Sequence, residues 1–340
     1  MADVSGLWSR RKDIWLSVAA GVVLGCVFRL AFGIPNFNDS VSGEVLSLFT
    51  LAFLVAAPFA IGYVSVRLFL KAREGRPHKW YQWLFLPWLC MLFTIIVWFA
   101  IHWEGMICIL FASPILFLSS LLGGVAARIV WGKLANRSPG VLSAVAFPLL
   151  FLAIESTFPS PYEIRTVQTE IAIQAPPQVV WNEIKSVRAI APQELPPSWI
   201  NQLGFPRPIA ATLSHEGIGG VRQASFTGGL LFTETVNQWD PQHDLRFTIH
   251  ANTGAIPRST FDEHATIGGA FFDVLEGEYT LEPTPSGVLL HLSSHERLST
   301  HLNPYAAFWT DAVMRTIQNQ ILVVIKNRCE QQAIPKSPNP

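Results

Sequence analysis

The stretch Val167-Gln168-Thr169-Glu170-Ile171-Ala172-Ile173-Gln174-Ala175-Pro176-Pro177-Gln178-Val179-Val180-Trp181 decides how the second half of the chain is built. Val167, Thr169, Ile171 and Ile173 share one side of an extended segment, and Gln168, Glu170 and Ala172 share the other, the period of a half-buried strand. Ala175-Pro176-Pro177 ends it. Pro177 suits the first turn of a helix, where a missing N–H has no partner to lose, and that helix is expected to reach about Val187. A second short helix is expected over Ser198 to Leu203.

Downstream, strands are expected at Ile209 to His215, Gly220 to Phe226, Leu230 to Trp239, Leu245 to Ala251, Glu276 to Glu282 and Val288 to Arg297. Gly217-Ile218-Gly219-Gly220, Asp240-Pro241 and Pro283 to Gly287 punctuate them. Asn303 as N-cap and Pro304 at the first helical position open a closing helix. Along it Trp309, Val313, Ile317, Ile321 and Val324 recur at helical spacing, to about Glu330. The segment Asn252 to Leu275 is longer than a hairpin needs and reads as a flap or insertion, with Gly268 and Gly269 as a hinge.

This order resembles the START-like domains of the SRPBCC superfamily, which includes polyketide cyclase/dehydrase relatives. The resemblance rests on Ile171 to Trp181, on Gly219-Gly220-Val221-Arg222, on Phe232-Thr233-Glu234-Thr235-Val236 with Trp239-Asp240-Pro241, and on the closing helix. It covers about half the chain. It implies an α+β helix-grip domain over residues 163–332, with a curved antiparallel sheet around a long C-terminal helix and an apolar cavity between them. Such a cavity suits lipids, sterols, polyketides or other hydrophobic molecules.

Upstream the sequence is of another kind. A bilayer core of ~30 Å needs roughly 20 apolar residues per helix. Five such runs are expected: Ile14 to Phe32, Val45 to Val66, Trp83 to Ile101, Met106 to Ala127 and Val141 to Phe158. The fifth is the shortest and holds Glu155 in its last turn. Residues 1–158 therefore read as an all-α transmembrane bundle of five helices, joined by a linker at 159–162 to the second domain. Residues 333–340 read as a disordered tail. A signal peptide competes for the first run, given Arg10, Arg11 and Lys12 before it and Ala31-Phe32-Gly33 after it. The run exceeds the ~7–15 residues of a signal, however, and Arg29 interrupts its end.

Half of the 340 residues are hydrophobic and 14% are charged, against ~25% charged in soluble domains. That excludes a disordered chain, a coiled coil and an ordinary cytosolic enzyme. Net charge is zero overall, so no pull towards nucleic acid is expected. Residues 1–158 carry 12 Lys/Arg against 7 Asp/Glu, and the remainder 12 against 17. Within the first half, basic residues cluster before span one, after span two and after span four, while the other connections hold none. That alternation places the N-terminus inside. Five crossings then place the second domain outside, and a bacterial inner membrane with a periplasmic domain is the expected setting. Pro58, Pro87, Pro114 and Pro148 fall one to a span, as ordinary kinks or as broken transport helices.

Strand parity names the residues for chemistry. Leu230, Phe232, Glu234 and Val236 share a side, which makes Glu234 a carboxylate among apolar neighbours, either paired with an arginine such as Arg222 or free to act as acid or base. Asp262, Glu263 and His264 cluster in the insertion, where a Glu263/His264 pair offers a second acid/base element or a solvated loop. Leu289, His291, Ser293, His295 and Arg297 share a face read as solvent-facing. His291 and His295 stand ~13 Å apart at the usual rise, too far to share one ion, so no metal site is expected. The expected cavity lining is Phe232, Glu234, Val236, Phe247, Trp309, Val313 and Ile317. No cofactor is implied. The leading expectation is membrane-anchored binding, with possible transfer, of a hydrophobic or lipid-like small molecule. An enzyme of cyclase, dehydrase or hydrolase type using Glu234 or Glu263/His264 is the rival. A sensor or assembly role with a protein partner is the third.

Overall fold

The computed structural model describes residues 4–32, 50–74, 76–133, 140–158, 160–252, 267–269 and 271–333. It divides into two compact units, Met1–Ser160 and Pro161–Pro340.

The first unit holds helices α1 (Val4–Phe32), α2 (Ala57–Ala72, entered through a π-helical turn at Ala52–Ala56), α3 (Trp80–Ala100), α4 (Met106–Lys133) and α5 (Gly140–Glu155). Among the described residues, four apolar segments are long enough to cross a membrane, Lys12–Phe32, Ala52–Ala72, Trp80–Ala100 and Met106–Gly132. The five expected runs thus correspond to four full-length spans and one shorter apolar helix. The fifth run stops early because Ser156 to Phe158 leave the helix in a turn. At 16 residues, α5 is about 24 Å long at 1.5 Å per residue. Its polar end has a structural task, since Glu155 accepts hydrogen bonds from the Leu51 and Ala52 N–H groups at 2.6 and 2.8 Å. Those donors open the π-helical turn, where no intrahelical acceptor exists for them.

Helix α2 is the centre of the bundle, packing on α1, α3, α4 and α5. It meets α4 backbone to backbone. A Cβ on Gly62 would lie 1.8 Å from the Ser120 carbonyl oxygen, and one on Gly123 would lie 1.9 Å from that of Phe59. Membrane helices associate through such close packing, because lipid supplies no hydrophobic drive between them. Val18, Phe28 and Phe32 of α1 belong to the same buried core. Arg29, which interrupts the end of the first run, is paired with Glu104 at 2.5 Å and the Trp103 carbonyl at 2.8 Å. Arg67, expected just beyond the second span, lies within α2, buried beneath the Trp131 ring.

The second unit is a seven-stranded antiparallel sheet, curled, with a long C-terminal helix. Its elements are β1 (Glu163–Ile173), α6 (Pro177–Lys185), α7 (Trp199–Gln202), β2 (Pro208–Leu213), β3 (Val221–Phe226), β4 (Leu231–Asp240), β5 (Asp244–Asn252), β6 (Phe272–Thr284), β7 (Gly287–Leu298) and α8 (Asn303–Ala333). Strand order is β1-β7-β6-β5-β4-β3-β2. This arrangement fits a helix-grip fold, and each expected strand and helix is present. β1 starts four residues before Val167, and β6 starts at Phe272 rather than Glu276, so the connection after β5 is shorter than expected. Both extensions are polar or irregular in sequence and are held by pairing to β7.

Ile173, Trp181, Val236, Phe247, Tyr279, Leu290, Leu322 and Ile325 belong to one buried core, which meets α8 along its C-terminal half. Gly277 sits in the middle of this face, where a Cβ would lie 2.6 Å from the Phe247 ring; its bare backbone lets that ring lie flat over β6. Asn303 does not cap α8 as expected. Its side chain accepts from the Thr300 N–H at 2.8 Å and donates to the Pro161 carbonyl at 3.0 Å, and the Leu302 carbonyl takes the first helical bonds.

Candidate functional site

Because successive side chains in a strand alternate faces, register places two polar groups on the concave face of the sheet. On β3 and β4, Arg222 stands opposite Glu234, and Glu234 opposite Ile249 of β5. On β1, β7 and β6, Arg165 stands opposite Glu296, and Glu296 opposite Val274. Between them the sheet splits. β5 and β6 pair only from Asp244↔Thr280 to Thr248↔Glu276. Beyond that point a cleft of about 470 Å³ opens, lined chiefly by outer-face side chains, Ile164, Thr248, His250, Asp273 and His295, with Ile249 at its inner edge.

The carboxylate of the first group is closed by an arginine, although the Arg222 Nε is itself buried without a hydrogen-bond partner. Arg222 donates to the Glu234 carboxylate, and both side chains are buried. The guanidinium carbon lies 5.3 Å from the centre of the Phe247 ring and 5.9 Å from that of Tyr279, which favours a desolvated cation. Burial pushes the Glu234 carboxyl up, and the Arg222 charge opposes that rise. Burial also pushes up Tyr279, which is hydrogen-bonded to Arg222. Of the two readings left open for Glu234, the geometry is that of a carboxylate paired with Arg222.

The second group is not closed. Glu296 is 0% exposed. One of its carboxyl oxygens accepts from the Thr310 hydroxyl of α8 at 3.0 Å, and the other has no hydrogen-bond partner. Burial, with Asp311 nearby, raises this carboxyl to about 7. Arg165, the nearest cation, is already shared between Glu163 at 2.9 Å and Asp311 at 3.1 Å. The alternation of Val288, Leu290 and Leu292 continues to Ser294 and Glu296, so the sequence did carry a signal that Glu296 faces inward. Ser294 is satisfied there by the buried Gln318 amide, which also donates to the Val167 carbonyl.

Other expected site residues fall as follows. Val236 and Phe247 lie in the packed core. Phe232 belongs to a smaller cluster with Val187, Ala211 and Ala224, and meets the Phe226 ring edge-on at 5.3 Å. Trp309, Val313 and Ile317 lie on the N-terminal half of α8, and Trp309 and Ile317 are only part-buried. Glu263 and His264 lie outside the described residues. Gly268 adopts a left-handed backbone, and the Gly269 carbonyl accepts from Arg297. His291 and His295 are on the outer face, His291 3.3 Å from Glu170 and His295 bonded to Thr166. Among the described residues no three His, Cys, Asp or Glu side chains converge as metal ligands. Cys329 is buried under α6, its thiol pushed up to about 12.

No family's sequence model matches the chain, and no curated protein matches it. Solved structures do align with it. Protein CV1439 from Chromobacterium violaceum shares 16% identity over 48% of this chain and 96% of its own, with a TM-score of 0.30. ChR145 from Cytophaga hutchinsonii shares 16% over 50% and 97%, also at 0.30. DynU16, a protein of the dynemicin biosynthetic locus, shares 15% over 49% of this chain and 48% of its own, at 0.30.

Proposed function

We propose that the second unit binds a hydrophobic or lipid-like small molecule on the concave side of its sheet, and that the first unit holds it at a membrane. The observation carrying this is how α8 lies. Its close backbone neighbours are β1, β7 and α6; its C-terminal half completes the apolar core, while Trp309 and Ile317 on its N-terminal half stay outside it. Concave apolar surface with a few polar groups is the usual make-up of a small-molecule site. The resemblance to START-like domains supports the same reading. Solvent extraction of the purified full chain, followed by mass spectrometry, tests it: a stoichiometric hydrophobic compound distinct from bulk membrane lipid is expected, and its absence refutes the reading.

A second reading is an enzyme of cyclase, dehydrase or hydrolase type. Glu296 favours it, because a buried carboxyl near 7 suits proton transfer at neutral pH. On that reading Glu296→Gln abolishes turnover of the extracted compound while leaving its retention intact; loss of both together argues for binding alone.

For the membrane, the setting we infer is a bacterial inner membrane, from the apolar spans and the superfamily resemblance, with the N-terminus inside, from the Lys/Arg distribution. On α5, Leu142, Leu150 and Ile154 are 79%, 64% and 62% exposed, a face suited to hydrocarbon rather than water. We therefore keep a fifth crossing and an external second unit. A reporter fused after Pro340 that is active only outside the cytoplasm checks this; activity only inside reduces the crossings to four.

A further inference from the structure

Resting on the binding reading above, we infer that the Glu296 end of the concave face receives the head of an amphiphile, and that this head is a protonated amine. Glu296 projects from β7 and Asp311 from α8. Each presents one buried carboxylate oxygen with no hydrogen-bond partner, the second oxygen of Glu296 being held by Thr310 and that of Asp311 by Arg165. Two elements thus offer free acceptors to the same region. Glu163, Asp311 and Glu296 surround a single cation, Arg165, which bonds the first two, reaches Glu296 only through its charge and keeps a buried Nε without a hydrogen-bond partner.

A buried acceptor left open is costly, and natural interiors rarely tolerate one without a reason. An ammonium group supplies up to three donors and one positive charge, which is what these two carboxylates lack. A carboxylate or phosphate head would add a third or fourth negative charge. A neutral hydroxyl would satisfy an acceptor but leave the charge uncompensated. The chemical class indicated is therefore a long-chain or polycyclic amine, or an amino lipid whose amine is free.

The test uses the full chain in phosphatidylcholine nanodiscs and three probes of equal chain length, hexadecylamine, hexadecanol and palmitate. Hexadecylamine is expected to bind about tenfold more tightly than hexadecanol, as a charge-assisted bond to a desolvated carboxylate implies, with palmitate weakest. Glu296→Gln should remove about that tenfold advantage and leave hexadecanol nearly unchanged. The wild-type ranking stands as a test even if the variant fails to fold. Binding of all three probes without preference for the amine, or a preference that survives Glu296→Gln, overturns this inference while leaving the binding reading intact. Binding of none overturns both.

Discussion

Glu234 and Glu296 are carboxyls on one concave face, and their neighbours give them different chemistry. Glu234 shares a desolvated pair with Arg222. Removing one partner strands the other, so Arg222→Met alone should cost about 3–5 kcal/mol, whereas Arg222→Met with Glu234→Leu should recover much of that loss. Chemical denaturation of the four chains of this cycle measures it; two independent, additive losses would show that the pair is not coupled. Glu296 has no cation bonded to it, and its protonation makes stability depend on pH. Its folded pKa of about 7 exceeds the ordinary 4.5. Between those values the unfolded chain has released a proton that the folded chain keeps, so stability should fall as pH rises from about 4.5 to about 7 and level off above. Glu296→Gln should flatten that part of the melting-temperature profile; an unchanged slope would assign it to another group. Parity along β4 and β7 was legible in the sequence and placed Glu234 inward. It did not show that Arg222 reaches across to Tyr279 on β6, because that contact depends on the sheet's curl and on the bare backbone at Gly277.

At the scale of elements, α8 is fixed at two points by polar contacts that interrupt an apolar face. Gln318 ties its middle to β1 and β7. Arg328 ties its C-terminal part to Glu183 of α6 at 2.9 Å, to Glu194 at 2.7 Å, and to the Arg188 and Ala189 carbonyls. The guanidinium holds Glu194 down to about 2, so this contact persists through the acid range in which Glu296 is neutral. Arg328→Met should loosen α8 from α6 and cost about 3–5 kcal/mol by leaving Glu183 buried without its cation. Amide hydrogen exchange should then rise first in residues 177–195; exchange confined to the far half of α8 would contradict this anchoring. Apolar spacing revealed α8 as a helix. Of the expected stripe, Val313 and Val324 are buried and Ile321 packs on the core, while Trp309 and Ile317 lie outside it; Gln318, Leu322, Ile325 and Cys329 fill the rest of the buried face, because two glutamines and an arginine interrupt the apolar spacing that periodicity looks for. α5 escaped correct bounding for a related reason: hydropathy does not register that Glu155 ends a helix by capping another.

At the scale of the molecule, an apolar bundle and a curled sheet with a long helix share one chain, each with its own core. Composition separated them at about residue 158, within two residues of the boundary between the compact units. On the proposed binding reading, the place of the ligand depends on how α8 lies against the concave face, which the sequence does not show. Ile249 is a half-buried residue of that face, packed against the core opposite Glu234 and beside the split between β5 and β6. Native mass spectrometry of the full chain, wild type beside Ile249→Trp, is the most direct test. The wild type should carry one discrete hydrophobic mass that the tryptophan, by filling the concave face, displaces without unfolding the chain. A wild-type chain that bears no added mass, or an Ile249→Trp chain that retains it undiminished, would contradict binding at this site.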